Sequence, residues 1–180
     1  MRLSFIHHAI RAYEQVFPVA ENETEDAQVS LKVDDVMTAE VITIDENATV
    51  KEAADLMDKN EISCVIAVRK GKAIGIVTER DLLKRVIVEA KNPNKTKVAA
   101  VMSSPLEVVM SGTELEEAVR LMFEKKIKKL PVTDKDSIIG LVSLTDIARC
   151  QPAIIKLLKT FAAAQGTPKS MKKVLNYYIV

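Results

Sequence analysis

Two pairs of side chains in this chain have the types and spacing for chemistry, and both sit in the same local pattern. Thr78 and Asp81 fall in Gly75-Ile76-Val77-Thr78-Glu79-Arg80-Asp81, and Ser143 and Asp146 fall in Gly140-Leu141-Val142-Ser143-Leu144-Thr145-Asp146. In each, an apolar run reads as the end of a buried strand that turns into a helix. The hydroxyl at the turn can accept from orphan amides, and the acid three residues later suits the positive end of the helix dipole. A ligand can use the same geometry, since free amides hold a phosphate and a carboxylate accepts from a pair of ribose hydroxyls. Capping and ligand binding are compatible, so both readings stand at this level.

The elements that must position these pairs are themselves duplicated. With an offset of 65 residues and no gap, Lys32-Val33-Asp34-Asp35-Val36-Met37-Thr38 lies over Lys97-Val98-Ala99-Ala100-Val101-Met102-Ser103. In the same register Thr49 to Met57 lies over Glu114 to Met122, Ile62 over Ile127, Gly75 over Gly140 and Asp81 over Asp146. Val41–Ile44 and Leu106–Val109 read as short strands. Thr49 and Thr113 open helices with one apolar face, carried by Val50, Ala53, Ala54, Leu56 and Met57 in the first and Leu115, Ala118, Val119 and Met122 in the second. Cys64–Val68 and Leu130–Val132 are strands, joined by hairpin turns at 70–72 and 134–137 to return strands Ala73–Val77 and Ile138–Val142. A helix follows each, from Asp81 to about Ala90 and from Asp146 onward.

The order strand, helix, strand, strand, helix makes an α+β fold. A repeat of about 55 residues is too small to bury its sheet alone. Two copies can stack about a pseudo-twofold axis, leaving two equivalent clefts lined by both. The chain divides into residues 1–30, repeat one at 31–92, repeat two at 93–150, and residues 151–180.

Composition narrows the function. The net charge is +1 and there is no Trp, which argues against a nucleic-acid surface built on charge or base stacking. No apolar run approaches the roughly 20 residues of a membrane span, and the first residues lack the features of a signal peptide. Cys64 and Cys150, far apart and near no other metal ligands, read as buried thiols of a reducing cytoplasm. His7 and His8 are adjacent and make a poor metal pair. The chain shows no G-x-S-x-G, P-loop or H-E-x-x-H motif, so it reads as a non-enzyme with no required cofactor.

The ends differ from the repeats. Leu3, Ile6, Ile10, Tyr13 and Phe17 form an amphipathic helix seam closed by Pro18, followed by an acidic linker. Residues 151–180 begin as a helix and carry five lysines and no acid. They read as a cap with a solvated basic face, or as a contact for an acidic partner or membrane surface.

The run Val-Met-Thr/Ser and the pattern Gly-h-h-Thr/Ser-x-x-Asp (h apolar), present in both copies with the full order of elements, resemble the CBS domain, named after cystathionine β-synthase. Two in tandem are similar to a CBS pair, or Bateman module, over roughly residues 32–150. The resemblance implies adenosine ligands (AMP, ADP, ATP or S-adenosylmethionine) in the clefts between repeats, with the Asp of one repeat accepting from the ribose. It implies that one cleft combines Thr78, Arg80 and Asp81 with Ser104, Pro105, Leu106 and Glu107. The other would combine Ser143, Thr145 and Asp146 with Thr38, Ala39, Val41, Ile42, Ile62, Ser63 and Cys64.

At the start of the second strand, repeat two reads Lys125-Lys126-Ile127-Lys128-Lys129 where repeat one reads Asn60-Glu61-Ile62-Ser63-Cys64. In many nucleotide-binding CBS pairs basic residues here face phosphates, which makes Lys126, Lys128 and Lys129 the phosphate candidates, with Arg80 as an ally. Strand alternation sends Lys128 and Lys129 to opposite faces. Arg80, standing where repeat two has Thr145, can aid a phosphate or crowd a ribose. Glu107 can repel a phosphate or accept from an adenine amino group. The resemblance implies a regulatory sensor that acts on an effector protein in another chain and associates as a homodimer. The alternative is a structural homodimerisation module without ligand, and a nucleic-acid or membrane adaptor working through the basic tail ranks below both.

Overall fold

The computed structural model describes residues 31–150. The expectations for the N-terminal helix, for His7 and His8, and for the basic C-terminal segment lie outside the described residues. Among the described residues no helix is long and apolar enough to cross a membrane.

The described chain contributes to two compact units. The unit that holds most of the described residues, and is the larger in that sense, takes in Met37–Gly112 and Leu130–Val142. It contains β1 (Thr43–Asp45), helix α1 (Val50–Lys59), β2 (Cys64–Arg69), β3 (Lys72–Thr78) and helix α2 (Glu79–Leu82), which runs into a π-helical turn at Leu83–Ile87. It also holds β4 (Val109–Met110) and most of β5 (Lys129–Asp134) and β6 (Ser137–Ser143). In the other unit the described elements are a short 3-10 turn at Val33–Asp35, helix α3 (Leu115–Lys125) and helix α4 (Leu144–Cys150).

Each repeat makes one three-stranded sheet, in the orders β1-β2-β3 and β4-β5-β6. The first strand is parallel to the second in both, with Thr43 opposite Ile66 and Val109 opposite Val132. β2 and β3 are antiparallel, with Cys64 opposite Thr78 and a bulge between Ala67 and Val68. The hairpin between them turns through Lys70 (φ 49°) and Gly71 (φ 77°), the left-handed pair that matches strand twist. The core of the larger unit gathers Ile44, Val50, Ala53, Met57, Val65, Ala67, Val77, Val86, Val98 and Val101. Each fully buried Val contributes about 1.5–3 kcal/mol. A helix cap contributes about 1 kcal/mol, so burial outweighs capping here.

The segment that leads into each repeat serves the other repeat. Leu31 accepts from the amide of Leu115 at 3.0 Å and Thr113 from that of Val33 at 2.9 Å, so 31–33 caps α3. Sixty-five residues on, Thr96 accepts from Val50 and Ala48 from Val98, both at 2.9 Å, capping α1. The partner strands follow the same rule. Thr38 exchanges two backbone bonds of 2.9 Å with Leu141 on β6, and Ser103 exchanges bonds of 2.8 and 3.1 Å with Ile76 on β3.

Several expected boundaries shift. The first strands are Thr43–Asp45 and Val109–Met110, later than Val41–Ile44 and Leu106–Val109, because the paired residues of the ladders begin at Thr43 opposite Ile66 and at Val109 opposite Val132. Thr49 is the N-cap of α1, but Glu114, not Thr113, precedes α3 and gives no side-chain cap. Backbone from 31–33 closes that end instead. The helix expected from Asp81 starts at Glu79, and from Leu83 to Ile87 it widens to a π turn, closed by Val88 donating to the Leu83 carbonyl at 3.0 Å. Cys64 is buried as expected, while Cys150 is exposed at the end of α4, and neither is in a disulfide.

Candidate functional site

In the larger unit, β3 delivers Thr78 to the start of α2, where Thr78 and Asp81 form a reciprocal capping box. The Thr78 amide and hydroxyl both donate to Asp81 Oδ2, at 3.0 and 2.6 Å, and the Asp81 amide donates to Thr78 Oγ1 at 3.3 Å. The first helical amide, Glu79, donates to the Ser63 carbonyl at 3.1 Å. The Asp81 carboxylate is 14% exposed and its other oxygen lies 3.3 Å from Arg85 Nη2. Arg85 also donates to the Val101 carbonyl and, at 3.2 Å, to Ser103 Oγ. It was not among the residues singled out from sequence. The available signal was the acid–base spacing of four residues on a helix, Asp81 to Arg85.

The Ser103–Ile76 bridge and Arg85 bring the segment after Val101-Met102 to the Thr78–Asp81 corner. Ser104 Oγ donates to the Ile74 carbonyl at 2.9 Å, Pro105 follows a cis peptide and is exposed, and Leu106 and Glu107 are half-buried. Arg80 is exposed. This unit therefore carries in one neighbourhood both segments named for the first cleft.

Of the residues named for the second cleft, Ser143, Thr145 and Asp146 lie in the unit of α3 and α4, as do Lys126, Lys128 and Lys129. Ser143 is buried, its hydroxyl donates to Asp146 Oδ2, and the Asp146 amide returns a bond to Ser143 Oγ at 3.2 Å. Thr145 is half-buried. The Leu144 amide donates to the Lys128 carbonyl at 2.8 Å, as Glu79 does to Ser63, so Lys128 sits at the Ser143–Asp146 corner. Lys128 precedes β5, which begins at Lys129, and both are half-buried. Lys126 is not a strand residue: it ends α3 in the left-handed region (φ 58°) and is exposed.

Thr38, Ala39, Val41, Ile42, Ile62, Ser63 and Cys64 all lie in the larger unit. Thr38 and Ala39 are exposed and Thr38 is held at Leu141. Val41 and Ile42 are half-buried, and Ile42 accepts from the Ile66 amide at 3.0 Å. Ile62 packs on the core and its amide donates to the Met57 carbonyl at 2.9 Å. Ser63 and Cys64 stand beside Thr78 and Glu79 of their own repeat.

Charge is also arranged behind the strands. Glu46, nearly buried, accepts from Arg69 through both oxygens, one bond measuring 2.6 Å. Hydrogen bonding from Arg69 holds the Glu46 carboxyl below its usual range, and the same contact raises Arg69. Glu52 is held low by hydrogen bonds from the Thr49 amide and hydroxyl, each 2.7 Å. Among the described residues no group of His, Cys, Asp or Glu has the arrangement of a metal site.

The comparisons with known proteins agree with this layout. The CBS domain family matches twice, at residues 33–88 and 98–152. The uncharacterized protein MK0525 of Methanopyrus kandleri is 36% identical over 132 residues, covering 72% of this chain and 67% of that one. The CBS domain-containing protein YhcV of Bacillus subtilis is 34% identical over 116 residues, covering 64% of this chain and 82% of its own length. Among solved structures, the CBS domain protein TA0289 of Thermoplasma acidophilum superposes with a TM-score of 0.65 at 25% identity, covering 72% of this chain and 75% of that one. With both repeats matched end to end and the paired hydroxyl–acid corners in place, the chain belongs to the CBS-domain family, as a tandem pair.

Proposed function

We propose that this CBS pair is a non-catalytic regulatory module that binds an adenine nucleotide (AMP, ADP or ATP) or S-adenosylmethionine and modulates a partner protein. The observation that carries the reading is Asp81, a carboxylate 14% exposed with its charge answered by Arg85 alone among ion pairs of the described residues. Such an acid is oriented by its cap and still reachable by a pair of hydroxyls. Asp146 repeats the arrangement with Ser143. Isothermal titration of the full chain with AMP, ADP, ATP and S-adenosylmethionine tests it. Binding at a hundredfold excess over Kd stabilises the fold by about 2.7 kcal/mol, so melting temperature reads the same event. No heat and no thermal shift at millimolar ligand overturns the proposal.

A second reading, a homodimerisation module, is favoured by one patch. Leu83, Ile87 and Val88 are 57, 65 and 74% exposed on the π turn after α2. The Val88 amide donates to the Leu83 carbonyl, so the three exposed apolar residues belong to one wide turn, a short apolar strip of chain. Sedimentation equilibrium of the full chain and of Ile87→Asp tests whether that strip joins two copies. The reading requires a dimer that Ile87→Asp dissociates.

A further inference from the structure

We propose that Asp81 and Arg85 form a switch: the state of the Asp81 carboxylate sets how firmly Arg85 holds the segment Val101–Ser103. The inference rests on the nucleotide reading above and names the regulation of that same site. Arg85 is a positioning residue here, acting on the ligand only through Asp81.

The geometry is a competition. Asp81 Oδ2 already receives the Thr78 amide and hydroxyl, which occupies both of its lone-pair directions. A pair of ligand hydroxyls must therefore be accepted at Oδ1, where Arg85 Nη2 stands at 3.3 Å. The same guanidinium nitrogen donates to Ser103 Oγ and its neighbour donates to the Val101 carbonyl. Arg85 is half-buried and planar, so it cannot leave Asp81 without changing its angle to Val101 and Ser103. The held segment contains Met102, which lies under Gly75, and Ser103, which is laddered to Ile76. Occupancy at Asp81 is thereby passed to the chain that leads into repeat two. Repeat two has Cys150 at the matching position, so its acid corner lacks this arginine.

Amide hydrogen exchange on the full chain tests the switch with and without nucleotide. Without ligand, Asp81→Asn and Arg85→Met each speed exchange at Met102 and Ser103 about two- to fivefold, the size expected of a half-exposed ion pair. Thr78→Ala, which removes the cap but leaves the pair, speeds exchange at Asp81 and leaves 102–103 unchanged. Unchanged exchange at 102–103 in both Asp81→Asn and Arg85→Met overturns the switch, as does an equal effect from Thr78→Ala. With AMP or ATP as the probe, the wild type gains exchange at 102–103 while Arg85→Met shows no further gain. Binding that leaves 102–103 unchanged in the wild type also overturns it. Absence of binding by both probes counts against the nucleotide reading, and the ligand-free variants then decide the switch alone.

Discussion

Gly75 and Met102 share one space. A Cβ built on Gly75 would fall 2.8 Å from Met102 Sδ and 2.9 Å from the Ser103 carbonyl, so the Val-Met motif of repeat two is the lid on the glycine of repeat one. Gly140 stands in the same relation to Met37, with the Thr38 carbonyl at 3.1 Å. The two glycines differ in what must yield. At both a methionine side chain is the closest obstacle, but the laddered Ser103 carbonyl stands at 2.9 Å at Gly75, against 3.1 Å for the laddered Thr38 carbonyl at Gly140. Gly75→Ala should therefore destabilise the chain by about 1–3 kcal/mol, and Gly140→Ala by less. Denaturant midpoints with an unchanged slope check both values, and a larger loss at Gly140 contradicts the argument.

Acid should unfold this protein partly through two carboxylates. Glu46, bonded by Arg69, and Glu52, bonded by Thr49, both have folded-state pKa values below the ordinary 4.5. A carboxylate depressed on folding stabilises fully above its unfolded pKa and loses that contribution as pH falls through its folded value. Stability should thus be level near neutrality and decline below about pH 4.5. Glu46→Gln should flatten this decline and lower stability at pH 7, because Arg69 loses its partner. Chemical denaturation at a series of pH values reads the slope, and an identical slope in wild type and Glu46→Gln rules out the pair as a source.

What could be read from sequence was whatever local chemistry decides. The hairpin at Lys70-Gly71, the cap at Thr49 and the hydroxyl–acid corners each rest on residues within four positions of one another, and the duplication is the recurrence of such local patterns 65 residues on. What could not be read depends on contacts between distant segments. Thr113 has the right type for a cap, yet its carbonyl is engaged by Val33 and the helix begins beyond it, closed by the backbone of Leu31. Arg85 has a local spacing to Asp81, but its hold on Val101 and Ser103 comes from chain 16 and 18 residues away. The π turn at 83–87 leaves no mark in periodicity, since one extra residue in a single turn shifts the apolar stripe only after the helix has ended.

Lys126 separates a structural role from a phosphate-binding one in a single variant. It closes α3 at φ 58°, where a side chain costs free energy and glycine does not. Lys126→Gly should stabilise the chain by about 0.5–1 kcal/mol and leave ATP binding unaltered, because the ammonium is exposed at the helix end. Thermal melts and an ATP titration on the same variant check both parts. A drop in ATP affinity places Lys126 among the phosphate contacts, and a loss of stability shows that its side chain holds the helix end.

Lys128 is the more telling lysine, because its backbone and its side chain can be tested apart. Its carbonyl holds the Leu144 amide whatever the side chain, so Lys128→Ala keeps the Ser143–Asp146 corner built while removing the charge. If a nucleotide sits there with its phosphates toward Lys128, the variant should weaken ATP about tenfold or more and leave adenosine nearly unchanged. Asp146→Ala should weaken ATP and adenosine alike, since it removes the acceptor for the sugar common to both. Titration calorimetry with the two ligands distinguishes the cases. Equal losses for ATP and adenosine in Lys128→Ala would mean the side chain supports the corner rather than the phosphate, and no loss for either would move the phosphate contact to another residue.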